Sequence, residues 1–119
     1  ELLLRKKDVV LVIDPPELGE NPKGCLFRRP VSILEKPVST CTQDKSKVVA
    51  RQAVYRELVE QIRTDNPALK VYDPIDFFCD DARCYGLRDK KLLYWDDDHI
   101  AVWASELVLG DMRKRKFLP

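Results

Sequence analysis

The chain has 119 residues, 45% of them hydrophobic and 34% charged, enough for one small domain around one core. Lys and Arg number 21 against 20 Asp and Glu, and a net charge of +1 gives no basis for a nucleic-acid partner or an anionic membrane surface. The longest apolar runs, Val9–Ile13 and Ile100–Ala104, are far too short to cross a bilayer. The opening ELLLRKKD lacks the long apolar core and small-residue cleavage site of a signal peptide, so export would require a segment outside this chain.

Val9–Ile13, mostly β-branched and bounded by Asp8 and by Asp14-Pro15-Pro16, reads as a strand buried on both faces, as in a parallel sheet covered by helices. Residues 15 to 43 read as loop, with Pro15, Pro16, Pro22, Pro30, Pro37, Gly19 and Gly24. A loop of that length calls for a staple. From Asp44 a helix is expected, with Val48, Val54, Tyr55, Leu58, Val59 and Ile62 forming one broad apolar stripe for core packing. Thr64-Asp65-Asn66-Pro67 ends it. Leu69–Asp73, closed by Pro74, reads as a second strand, and strand, helix and strand in that order suggest a right-handed βαβ crossover.

Ile75–Arg88 is expected to be a short turn of helix plus loop, and Lys91–Trp95 a short extended piece. A last helix is expected over Asp98–Leu109 with Gly110 as its C-cap. Met112–Pro119, with its Arg113–Lys116 run, reads as a solvated tail.

Four cysteines, Cys25, Cys41, Cys79 and Cys84, are many for a short cytosolic chain and suit two disulfides in an oxidising compartment. Three pairings are possible; the sequence-local one, Cys25–Cys41 with Cys79–Cys84, is favoured. Closing the first loop is worth about 3 kcal/mol in the chain-entropy model. The rival is a zinc site built from the cysteines, or from three of them and the histidine, but no Cys-x-x-Cys knuckle is present.

His99 is the only histidine, and Asp96-Asp97-Asp98 stand directly before it. A histidine acting as general base needs a group that fixes its tautomer and supports its charged form. Asp96, three residues earlier, can do this if the backbone turns between them. The bland alternative is that Asp97 or Asp98 caps the last helix and His99 is simply exposed. Metal binding by the aspartates is a weaker third reading, because adjacent carboxylates rarely converge on one ion.

The run from Asp73 to Ala101 resembles the end of SGNH-type (GDSL-like) domains fused to membrane acyltransferases of family 3, bacterial O-acetyltransferases of lipopolysaccharide and other surface glycans. The D-P-x-D-x-hydrophobic-C pattern is matched by Asp73, Pro74, Asp76, Phe78 and Cys79, a following cysteine by Cys84, and Tyr-x-Asp-x-x-His by Tyr94, Asp96 and His99. The resemblance implies a three-layer α/β fold with a parallel sheet flanked by helices, and Asp96 and His99 as two arms of a Ser-His-Asp triad. It further implies the periplasmic face of the inner membrane, a surface-glycan acceptor, a membrane acyltransferase domain in the same polypeptide, and no metal or organic cofactor.

Two departures stand out. The usual His-Leu-Ser-x-x-Gly-Ala continues here as His99-Ile100-Ala101-Val102-Trp103-Ala104-Ser105, and no Gly-Asp-Ser or Gly-x-Asn-Asp block is present. None of Ser32, Ser39, Ser46 and Ser105 has the nucleophile's context. Residues 1–119 are therefore expected to be the C-terminal portion of such a domain, its first strands missing and the isolated chain inactive. An uncovered sheet edge would then permit association between copies. An SGNH esterase and a non-catalytic, disulfide-stapled interaction module are the rival functions.

Overall fold

The computed structural model describes residues 7–19, 22–26 and 41–119. Strand β1, Val10–Val12, leads through the Pro15-Pro16 corner to a single helical turn, α1, Lys23–Leu26. Strand β2, Thr42–Asp44, runs directly into α2, Lys45–Arg51, and α3, Ala53–Asp65. Strand β3, Lys70–Tyr72, follows, then α4, Ile75–Phe78, the short strands β4, Arg83–Tyr85, β5, Leu87–Arg88, and β6, Lys91–Leu92, and finally α5, Val102–Lys114. The remainder of the expected Pro-rich loop and the first six residues lie outside the described residues.

β1 and β3 pair in parallel with Leu11 opposite Val71, as the expected βαβ crossover requires. Three-residue strands make this a small sheet, and among the described residues no strand lies on the other edge of β1. That openness corrects the expectation of a strand buried on both faces: Val10 and Leu11 are half-buried, and Val12 is exposed. β2 pairs antiparallel with β4, Gln43 opposite Cys84. β5 and β6 form a tight hairpin through Asp89 and Lys90, whose φ angles of 50° and 63° lie in the left-handed region, as the turns that match the right-handed twist of paired strands require. Ile75–Arg88 thus holds strands as well as the expected turn of helix.

The expected single helix from Asp44 is two. Asp44 ends β2, and the helical run breaks at Gln52, whose buried side chain leaves the helix to donate to the carbonyls of Asp14 (3.2 Å) and Pro15 (3.3 Å). Arg56 donates to the Gln52 side-chain oxygen and forms an ion pair with Asp73, so the exit of β1, the start of α3 and the end of β3 share one polar knot. The apolar stripe also divides. Val48 and Val59 are buried, whereas Val54 is 82% and Leu58 53% exposed and Ile62 is exposed with them. An i, i+4, i+8 ridge faces away from the core because the sheet beneath α3 is too narrow to cover it.

The core gathers Leu18, Val48, Tyr72, Phe78, Leu93, Tyr94, Ala104, Val108 and Met112, with the Cys79–Cys84 disulfide among them. Phe78 and Tyr94 pack at 5.4 Å between ring centroids. Gly86 lies where the chain passes closest: a Cβ there would come within 2.8 Å of Leu18 Cδ1 and 3.2 Å of the Cys41 carbonyl, to which the Gly86 amide donates.

The C-terminal helix differs from expectation at both ends. It starts at Val102 and runs on to Lys114, so Gly110 is an interior position and not a cap. Met112 is buried, and Phe117 and Leu118 pack against the core. Arg115 lies over the Tyr72 and Phe117 rings. All four residues of the basic run, Arg113–Lys116, are exposed, but Arg113 and Lys114 belong to the last turn of α5 and not to a tail.

Candidate active site

The loop between β6 and α5 builds the site. Tyr94 and Ile100 form an isolated antiparallel bridge, and the Trp95 amide donates to the His99 carbonyl at 2.7 Å. The three residues between Trp95 and His99 must therefore turn. Asp96 makes the turn with its side chain: Oδ1 accepts from the amides of Asp98 (3.2 Å) and His99 (2.7 Å), the local bonding that aspartate offers where the chain leaves regular structure. The same carboxylate meets the His99 ring, with Nδ1 at 2.9 Å from Oδ1 and 3.1 Å from Oδ2. Asp98 Oδ1 approaches that nitrogen at 2.8 Å.

This turn occupies the residues that were expected to open the helix. α5 begins at Val102 with Ala101 as N-cap and no side-chain cap, so neither Asp97 nor Asp98 caps it. The helix-capping reading is thereby corrected: the Asp96 carboxylate serves a tight turn and the imidazole, and Asp98 approaches the same ring nitrogen.

Charge follows geometry. His99 has its pKa raised above the usual 6.5, first by its bond to the Asp96 side chain and then by the negative charges of Asp96 and Asp98. Asp96 is lowered to about 2, mainly because the His99 amide donates to it. With Nδ1 occupied by carboxylate, a neutral ring carries its proton there, and Nε2 is left as the acceptor. Nε2 has no partner among the described residues, and the His99 side chain is 75% exposed.

A cleft of about 230 Å³ opens beside the ring, lined by Asp14, Pro15, Glu17, Asp98 and His99. Its far wall, the segment after β1, is held from several directions. Gln52 binds the Asp14 and Pro15 carbonyls, the Tyr94 hydroxyl donates to the Pro16 carbonyl at 2.7 Å, Arg51 pairs with Glu17, and the Leu18 amide donates to the Asp97 carbonyl at 3.3 Å. Burial raises the Tyr94 pKa far above the ordinary phenol range, so its hydroxyl stays a donor.

Asp73 is turned inward to Arg56 and to the amide of Ile75 (2.9 Å), and Asp76 pairs with Lys45 at 3.5 Å. The cysteines pair as favoured, Cys25 with Cys41 and Cys79 with Cys84, which removes the cysteine-zinc alternative. Asp96, Asp98 and His99 each offer a metal-ligating atom within 4.8 Å of the others. An ion bound at Nδ1 would displace Asp96 from the ring. Sequence reasoning missed Asp14, Glu17 and the second carboxylate at Nδ1. Residues 14 and 17 lie about 80 positions from His99 and carry no local signal. Asp98 was assigned to a helix end that lies elsewhere.

A parallel strand pair crossed by helices, with a carboxylate-held histidine on the loop before the last helix, agrees with an acyl-transfer domain of the SGNH type. The chain belongs to the family of SGNH domains fused to AT3 domains, whose family model matches residues 1–114. The family joins such a domain to a membrane acyltransferase domain in one polypeptide, and no described helix is long and apolar enough to cross a membrane. Neither the curated proteins nor the solved structures contain a match to this chain.

Proposed function

We propose that this chain carries the acid/base half of an O-acyltransferase that moves an acetyl group onto a hydroxyl of lipopolysaccharide or another surface glycan, on the periplasmic face of the inner membrane. The observation that carries the reading is the grip of Asp96 on His99, through ring Nδ1 and backbone amide together, at the edge of a cleft. Residues 1–119 are then the C-terminal portion of a three-layer α/β domain, and strands outside this chain cover the open edge of β1. Until they do, copies of the isolated chain can associate along that edge.

In this scheme a serine from outside the chain attacks the acetyl carbonyl carbon. His99 Nε2 takes the serine proton as the O–C bond forms and delivers it to the departing donor group. A sugar hydroxyl then attacks the serine ester, gives its proton to Nε2, and receives the acetyl as the serine oxygen leaves with that proton. Asp96 holds the tautomer and offsets the imidazolium charge in both halves. Metal and organic cofactors have no part in these steps.

The exposure of His99 favours a second reading, an SGNH esterase, in which water takes the place of the sugar. Both are tested in the AT3-fused polypeptide. His99→Ala should abolish acetyl transfer and Asp96→Asn should reduce it by about 10³–10⁴-fold. The isolated 119-residue chain should not hydrolyse p-nitrophenyl acetate; turnover lost on His99→Ala would contradict the placement of the serine. Activity of the fused polypeptide unchanged by His99→Ala would contradict the proposal itself.

A further inference from the structure

We propose that the cleft beside His99 selects an acceptor sugar that bears no negative charge; this rests on the acyl-transfer reading above. Three of the five residues lining the cleft are carboxylates, Asp14, Glu17 and Asp98, and Asp96 stands behind the ring. Arg51 neutralises Glu17, while the Asp14 carboxylate has no partner among the described residues. With His99 in its neutral, proton-accepting form, four carboxylates face one cation. A cleft of this size places an entering ring well within a Debye length of those charges.

Two consequences follow for a ligand. Carboxylates are pure acceptors, and a sugar presents hydroxyl donors to them from any side of its ring. A uronate, a sialate or a phosphorylated sugar brings its own anion into the same field and is repelled. Pro15 supplies the apolar surface on which the C–H face of a ring rests, and about 230 Å³ is below the range of drug-sized pockets, so one ring occupies it. The backbone holding Asp14 is fixed by Gln52, and Tyr94 fixes the residue after Pro15, so the charged wall cannot swing aside.

The test compares methyl glucoside with methyl glucuronide as acceptors in the AT3-fused polypeptide, with p-nitrophenyl acetate as donor, in wild type, Asp14→Lys and His99→Ala. The expected result is a kcat/KM roughly tenfold or more higher for the neutral acceptor at low salt, a gap that narrows in 0.5 M salt. Asp14→Lys, at an exposed position, should raise the glucuronide value and close most of the gap. Equal use of both acceptors, or a preference that neither salt nor Asp14→Lys moves, overturns the inference. In that case, loss of glucoside transfer in His99→Ala leaves the acyl-transfer reading standing. Transfer to neither acceptor, with His99→Ala indistinguishable from wild type, overturns both.

Discussion

Tyr94→Phe isolates one hydrogen bond that holds the cleft together. The Tyr94 ring is 1% exposed, and its hydroxyl donates to the Pro16 carbonyl at 2.7 Å across 78 residues of sequence. Phenylalanine keeps the ring and its contact with Phe78, so packing is unchanged and only the donor is lost. The Pro16 carbonyl, on a buried residue, is then left without a partner, at a cost of about 2 kcal/mol within a range of 1–3. A chain of this length melts with an entropy of about 0.25 kcal/mol/K, so the midpoint should fall by about 8 °C. Urea and thermal unfolding with the disulfides intact measure this directly, provided the transition is two-state. The same variant should shift the His99 ring resonances, because the segment walling its cleft is loosened. A loss below about 0.5 kcal/mol would show that the Pro16 carbonyl does not depend on Tyr94, and the account of a pinned wall would fail.

Gly86→Ala should destabilise the chain by about 1–3 kcal/mol in urea unfolding, because the new methyl meets Leu18 Cδ1 and the Cys41 carbonyl; a neutral result would mean that Leu18 moves away freely. Leu58→Lys, on the exposed ridge of α3, should stay within about 0.5 kcal/mol of wild type, and a large loss would show the ridge to be covered. The Asp96 contribution to stability should be fully present above about pH 4, the usual carboxylate range, and be lost as pH falls towards 2. Comparing acid unfolding of wild type and Asp96→Asn reads this, and superimposable curves would contradict it.

Much of the site was legible because its signals are local. Asp96 and His99 are three residues apart, and a short acidic side chain before a histidine can close a turn without distant help. The cysteine pairs are likewise near in sequence, Val9–Ile13 is mostly β-branched, and proline closes both that run and Leu69–Asp73, as suits parallel strands. Long-range structure was not legible. Thr42–Asp44 is polar and Arg83–Tyr85 mixed, each three residues long and without periodicity, so nothing in either announces their pairing. The stripe on α3 shows which residues are apolar but not how wide a sheet lies beneath them, so Val54 and Leu58 could not be told from Val59. α5 was placed too early because acidic residues before an apolar run suit a helix start. The Tyr94–Ile100 bridge, which keeps those residues out of the helix, depends on tertiary contacts.

Because His99 is the only histidine, its ring nitrogens can be followed by long-range ¹H–¹⁵N NMR without assignment ambiguity. The neutral ring should carry its proton on Nδ1, with a pKa above 6.5 that falls in Asp96→Asn. The stabilisation that goes with the raised pKa should be complete below pH 6.5 and disappear as pH rises through the folded-state value. A proton found on Nε2, with a pKa at or below 6.5 that ignores Asp96→Asn, would contradict the account at its centre.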